Sequence, residues 1–392
     1  MFYLNQLGMV CPLGGTLDEI ARRMLGQARS GVVMTDNYSP GRPRPVGRVD
    51  AALPAADGLP LRERSRNNRL ALAALDRIRP AVDAAIERFG PERVGVVVGT
   101  STSGIANGEA AMGEYAVSGT LPEDFHYGQI EMGSPAAALA ATLGVTGPAY
   151  VHSTACASSA KALASAARLI QMGACDAVLA GGVDTLCAFT VAGFAALESV
   201  SATRCNPLSK NRNGINIGEG AALFLLSNEP ATVALRGWGE SSDGHHMSAP
   251  DPSGAGARLA IERALARAQV AANEIDYINL HGTATVQNDA MEARVIDALF
   301  GAGVSVSSTK PFTGHTLGAA GAIEAGLCWL AMQDNNPRGK LPPHLWDRVA
   351  DPTLPALNVA EPGDSLGRPL GRVLSNSFAF GGANATLVLG RE

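Results

Sequence analysis

Residues 150–173 read YVHSTACASSAKALASAARLIQMG: a short β-branched strand ending in Ser153-Thr154, a turn holding Cys156, then a helical run filled with Ala and Ser. Residues 304–335, VSVSSTKPFTGHTLGAAGAIEAGLCWLAMQDN, repeat that plan, with Ser308-Thr309 at the strand end, His315 in the turn, and a helix of Ala and Gly. Two copies of one strand-to-helix unit imply a pseudo-symmetric α/β chain that divides near residues 228–250. The two small-residue helices are expected side by side at the centre, because a helix apolar on all faces must be covered on all faces.

Short apolar runs alternate with helical patterns outward from this pair, which predicts an α/β fold. Strands are expected at Val94 to Val98, Ala149 to Ser153, Ala177 to Ala180 and Ala222 to Leu226. A second set is expected at Tyr277 to Leu280, Val304 to Ser308, Val373 to Ser377 and Thr386 to Leu389. Several are unbroken Val/Ile/Leu runs, so they should be buried on both faces. Helices fit Asn68 to Arg88, Cys156 to Met172, Gly256 to Val270, Ala290 to Phe300 and Leu317 to Gln333.

Composition narrows the function classes. The 45 glycines exceed the roughly 27 that an average content of about 7% would supply. Thirty-one Lys and Arg against 36 Asp and Glu give a net charge of −5, which argues against coating nucleic acid by bulk charge. No run approaches the roughly 20 apolar residues of a membrane span. The N-terminus MFYLNQLGMVCPLGG lacks a basic leader, so the expectation is cytoplasmic. Six cysteines at irregular spacing form neither a disulfide framework nor a CxxC pair, and no HExxH motif is present, so no metal site is expected.

Cys156 sits where a strand turns into a helix, in surroundings small enough to admit a substrate. Free backbone N–H groups and the helix dipole at such a point favour the thiolate. His281, in Asn-Leu-His-Gly-Thr-Ala-Thr, follows a second strand, and His315 follows a third. Ligands in open α/β sheets bind beyond the carboxyl ends of strands, so one cleft could hold all three.

These residues resemble a β-ketoacyl-acyl carrier protein synthase, an elongating condensing enzyme of the thiolase superfamily. The resemblance spans nearly the whole chain. It rests on five stretches in order: TACASS around Cys156, KNRNGINIGEGAA from Lys210, HGTAT from His281, STKPFTGH up to His315, and NSFAFGG from Asn376 to Gly382. It implies a thiolase-like fold of two pseudo-symmetric halves in an αβαβα arrangement. Residues 1–240 would carry the nucleophile and 241–392 both histidines.

The resemblance further implies that Cys156 takes an acyl group from a carrier protein's phosphopantetheine, with no separate cofactor. His281 and His315 would assist decarboxylation of a malonyl thioester. Lys310, with Glu324, would organise the site. The N–H groups of Cys156 and Phe380 would form an oxyanion hole gated by Phe380 and Phe378, and Thr283 and Thr285 would bind the pantetheine arm. The carrier is acidic, which points to Arg62, Arg66, Arg69 and Arg204 as its docking patch.

The chain also departs from the family pattern. Ala379 replaces a Gly in the gate, which would restrict loop motion. Ser209 and Asn213 replace two aspartates. Thr102 stands where an apolar residue lines the acyl pocket, a hint of a specialised polyketide or aryl-polyene pathway rather than primary fatty acid synthesis. The partner subunit is expected to be a second copy or a chain-length-factor-like relative. Ser158 and Lys161 satisfy S-x-x-K, leaving a serine acyltransferase as a remote alternative, although neither K-T-G nor S-D-N accompanies them.

Overall fold

The computed structural model describes residues 1–392. Its strands are β1 (Phe2–Val10), β2 (Val32–Thr35), β3 (Arg44–Gly47), β4 (Val94–Gly99), β5 (Ala149–His152), β6 (Ala177–Asp184) and β7 (Gly220–Ser227). They continue as β8 (Val233–Ser242), β9 (Tyr277–Asn279), β10 (Ser305–Ser307), β11 (Asn358–Val359), β12 (Arg372–Phe378) and β13 (Ala383–Arg391). All eight expected strands are among them. β4, β6 and β7 are buried at every position, as unbroken apolar runs require.

Eleven strands are joined in the order β11-β10-β9-β12-β13-β8-β1-β7-β6-β4-β5, and β2 pairs with β3 alone. The order is symmetric about its middle. β5, β4 and β6 are parallel neighbours while β6, β7 and β1 pair antiparallel. Likewise β10, β9 and β12 are parallel while β12, β13 and β8 pair antiparallel. The two sets meet where Phe2 and Tyr3 pair with Leu235 and Ala234. Residue 240 lies inside β8, so a boundary there would cut the first strand of the second set.

The helices are α1 (Leu17–Ala21), α2 (Arg66–Asp76), α3 (Arg79–Phe89), α4 (Ile105–Ser118), α5 (Ser134–Leu143) and α6 (Ser158–Gln171). They continue as α7 (Ala188–Ala196), α8 (Ala255–Ala268), α9 (Val286–Phe300), α10 (Lys310–Thr313) and α11 (Ala320–Ala331). The single helix expected from Asn68 to Arg88 is two. Ile78 leaves helical geometry (φ −124°, ψ 7°), and Pro80 then sits in the first turn of α3, where its missing N–H costs nothing.

α6 and α11 lie against each other, α6 packed on β4 and β6 and α11 on β12 and β7. Eleven of 14 residues of α6 and 11 of 12 of α11 are buried, so both are covered nearly all round. Glycine permits the contact: a Cβ on Gly321 would stand 2.8 Å from Ala160 Cβ and 2.9 Å from Ala160 N. Overfilling of that kind costs about 1–3 kcal/mol. Ser159 Oγ accepts from Ala322 N–H at 2.9 Å, tying the two helices together. The packing fixes Cys156, before α6, relative to His315, before α11.

Candidate active site

Beyond β5 the chain turns sharply into α6. Ala155 adopts φ +48°, left-handed and unfavourable for Ala by about 1–2 kcal/mol, which throws Cys156 out from the turn. Ser158 braces the bend: its Oγ accepts from Thr154 N–H at 2.8 Å and donates to Ala155 O at 2.6 Å. That buried hydroxyl is fully used by the backbone, which corrects the serine acyltransferase alternative built on Ser158 and Lys161. Gly99 lets β4 pass beneath, since a Cβ there would meet Ser159 N at 2.3 Å.

Cys156 Sγ lies 2.9 Å from His315 Nε2. His315 Nδ1 accepts the Leu317 N–H at 3.3 Å, so the proton of the neutral ring sits on Nε2 and points at the sulfur. His281 is held likewise, with its Nδ1 3.3 Å from Lys310 Nζ, a pure donor, which leaves Nε2–H free. Burial and the Lys310 charge push both histidines well below their ordinary range, so neither is an imidazolium at neutral pH.

Burial also pushes the Cys156 thiol up, to about 11, against the opposing pull of Lys310 and the Phe380 N–H. Enclosure thus opposes the thiolate that the helix terminus alone would favour. The backbone N–H groups of Phe380 and Cys156 both face the sulfur.

Donor atoms of Cys156, His281 and His315 lie within 4.8 Å of one another. The 2.9 Å contact is a hydrogen-bond length, shorter than the about 3.5 Å separating ligands of a tetrahedral zinc.

Lys310, buried, donates to Glu324 Oε1 at 2.6 Å and to the backbone oxygen of His281. Glu324 Oε2 and Asn279 Oδ1 are buried without a partner, oxygens that a water or small cation would satisfy.

Two acids absent from the sequence reading carry the surrounding backbone. Glu292, on α9, accepts the N–H groups of His281 and Gly282, each at 2.8 Å, and fixes the HGTAT turn. Asp184, at the end of β6, accepts from Thr100, Ser101 and Thr102 and from Ala319 N–H at 3.1 Å, joining the two halves beneath the nucleophile. An acid at a strand end looks like any other acid in a sequence; only the turns that converge on it give its role away.

A cleft of about 600 Å³, counted to its mouth, reaches Cys156, His281 and His315 past Thr283, Thr285, Phe378 and Phe380. Thr283 and Thr285 hydroxyls lie 2.9 Å apart. Phe380 packs on Phe194 with ring centroids 5.5 Å apart, and Phe378 packs on His281 at 6.2 Å. Ala379 has φ −104°, open to any residue, so it carries no strain here, while Gly381 and Gly382 hold the positive φ values.

Other expectations need correction. Thr102 does not line the cleft: it is fully buried, and its hydroxyl donates to Asp184 at 2.8 Å. Arg66 is spent on the buried carboxylate of Glu219, at 2.5 Å, and Arg69 on the carbonyls of Pro54 and Leu53. Arg62 and Arg204 remain exposed. Where the two aspartates are missing, Ser209 donates to Asp347 at 2.8 Å and Arg212 pairs with Asp351 at 2.5 Å, while Asn213 is exposed.

A buried cysteine braced at a strand-to-helix bend, faced by two neutral histidines on the matching half, defines a thiol-dependent condensing enzyme of the thiolase fold. The family model for the N-terminal domain of β-ketoacyl synthases matches residues 8–231, and that for the C-terminal domain matches residues 232–345. The chain belongs to the β-ketoacyl synthase family. It is 30% identical to the 3-oxoacyl-[acyl-carrier-protein] synthase 2 of Coxiella burnetii over 99% of this chain and 98% of that one.

Among solved structures, a chain of the ketosynthase ApeO in complex with its chain length factor ApeC, from Xenorhabdus doucetiae, superposes with a TM-score of 0.94. It shares 46% identity over 100% of this chain and 98% of that one. A β-ketoacyl synthase from Burkholderia phymatum gives a TM-score of 0.86 at 29% identity, over 100% and 99% of the two chains. The chain is thus an acyltransferase of the 3-oxoacyl-[acyl-carrier-protein] synthase type. No helix is long and apolar enough to cross a membrane.

Proposed function

We propose that Cys156 attacks the thioester of an acyl group carried on the phosphopantetheine of an acyl carrier protein. The carbonyl–sulfur bond breaks, the acyl group passes to Cys156, and the thiol proton leaves with the pantetheine sulfur. A malonyl thioester then enters past Thr283 and Thr285. Its carboxylate carbon–carbon bond breaks, carbon dioxide departs, and the electron pair passes into a thioester enolate. The Nε2–H groups of His281 and His315 hydrogen-bond that oxygen. The enolate carbon attacks the acyl carbonyl, whose oxyanion is held by the N–H groups of Cys156 and Phe380. Collapse expels Cys156, which regains a proton from solvent, and yields the 3-oxoacyl thioester.

The observation that carries this reading is that Nδ1 of each histidine faces a donor. Leu317 N–H on one and Lys310 on the other leave two N–H donors where negative charge must develop. Because decarboxylation makes the nucleophile, the chemistry calls for no general base at the malonyl carbon and no cofactor beyond the pantetheine arm.

For pathway and assembly, the match to a ketosynthase with its chain length factor, at 46% identity, favours specialised chain building with a second ketosynthase-type subunit. The fold supports such pairing: β5 is an open sheet edge, and α4 and α7 leave large apolar side chains exposed. The same symmetry supports two halves that meet before Val233. The reaction is tested by weighing the intact protein after incubation with acyl carriers. Wild type should gain one acyl group and Cys156→Ala none; acylation that persists without Cys156 overturns the assignment.

A further inference from the structure

α4 and α7 are barely attached to the molecule beneath them. α4 has one buried residue in 14, Ala111, and α7 one in nine, Val191. Residues 112–121 are exposed without a break. The side chains left in solvent are large and apolar: Met112 (57% exposed), Tyr115 (47%), Val117 (92%), Leu121 (50%), Phe189 (67%) and Leu197 (53%). A 14-residue helix is marginal alone, so a face like this needs a cover.

Charge says what kind of cover. From Val94 to Ala160 there is no Lys or Arg, while Glu109, Glu114, Glu123, Asp124 and Glu131 all fall on α4 and the segment after it. Glu114, Glu123, Asp124 and Glu131 are exposed. Glu109 is turned inward, where it accepts the N–H groups of Ala188 and Phe189 and docks the start of α7 on α4. In a two-fold pair of identical chains the same patch appears on both sides of the axis. Two copies meeting here would bring two net-negative patches together, with no Lys or Arg of this segment to offset them.

We infer that the α4–α7 face is built for a non-identical subunit whose matching surface carries Lys or Arg, and that its carboxylates disfavour pairing with a second copy. The inference rests on the proposed pairing with a second ketosynthase-type subunit and adds the chemistry that selects it. Apolar side chains supply the contact area, and like-charge repulsion rejects the wrong partner.

The test uses the full chain alone. Glu114→Lys/Glu123→Lys changes two exposed side chains that contact nothing in the active site. Mixed with wild type at low ionic strength and examined by native mass spectrometry, it should give mixed dimers in about tenfold excess over self-paired ones, an excess that salt erodes. A roughly equal split between mixed and self-paired dimers, or no mixed dimer at all, overturns the inference. Acyl loading of Cys156 in the same samples separates the two readings. Loading with random pairing removes only the acidic-face inference, and failure to load removes the catalytic reading.

Discussion

His315 Nε2 stands 2.9 Å from Cys156 Sγ although 159 residues separate them in the chain. The contact exists because α6 and α11 are packed at glycine distance, and each residue occupies the turn before one of those helices. It also assigns a direction. The imidazole donates toward the sulfur, so the ring acts as a hydrogen-bond donor to whatever negative charge occupies that spot.

The His315 donor should therefore matter more to decarboxylation than to acyl transfer. Losing one donor to a developing oxyanion costs about 10²–10³ in rate. His315→Ala should lose carbon dioxide release from the malonyl thioester by that factor while still loading Cys156 at a measurable rate. Single-turnover loading followed by mass, set beside carbon dioxide release, checks this. Equal losses in both would show that His315 instead serves the nucleophile.

Lys310 and Glu324 form a buried pair at 2.6 Å, and breaking such a pair from one side leaves a charge without compensation. Lys310→Met should cost about 3–5 kcal/mol in urea unfolding, because Glu324 is left behind. Lys310→Met/Glu324→Leu should recover much of that stability and none of the turnover, since His281 Nδ1 still lacks its partner. A double variant no more stable than the single one would contradict this account.

The sequence exposed the repeated strand-to-helix unit and the residues that follow strand ends, because those signals are local. Burial was not legible. A helix N-terminus favours a thiolate at Cys156, while enclosure, which residue identity does not show, pushes the thiol up against it. Arg66 and Arg69 looked like a surface run, yet the helix turns Arg66 toward Glu219, 153 residues away, and Arg69 toward the loop at Leu53. α4 and α7 gave no pattern, since a helix with one buried residue shows no periodic face. Glu292 and Asp184 were silent because their partners are backbone N–H groups, which leave no mark on residue identity.

A buried histidine outside the cleft contributes to the acid side of the stability profile. His344 donates Nε2–H to Pro207 O at 2.9 Å and accepts Ser308 N–H at 3.0 Å, and burial pushes it down to about 4. As pH falls from about 6.5 toward 4, the unfolded chain takes up a proton that the folded one refuses, so stability falls; above about 6.5 the group has no effect. The loss should reach about 3 kcal/mol from this residue, with His281 and His315 adding in the same direction. Urea midpoints of His344→Gln should lie below wild type at pH 8 and change less between pH 6.5 and 4. An unaltered slope would mean that His344 is protonated in the folded state.

Carrier docking should separate Arg204 from Arg69. Arg204 is exposed and makes no ion pair within the chain, so Arg204→Glu should leave unfolding unchanged. It should raise KM for carrier-bound substrate roughly fivefold to tenfold, about 1 kcal/mol of electrostatic attraction, with an effect that shrinks as salt rises. Arg69 instead donates to the carbonyls of Pro54 at 2.7 Å and Leu53 at 3.3 Å. Arg69→Glu removes both donors and sets a carboxylate against two carbonyls, so it should lower stability by about 1–3 kcal/mol. Steady-state kinetics with carrier-bound and pantetheine-only substrates, beside urea curves, distinguish the two. If Arg204→Glu slows the small pantetheine substrate equally, Arg204 serves the tunnel rather than the carrier.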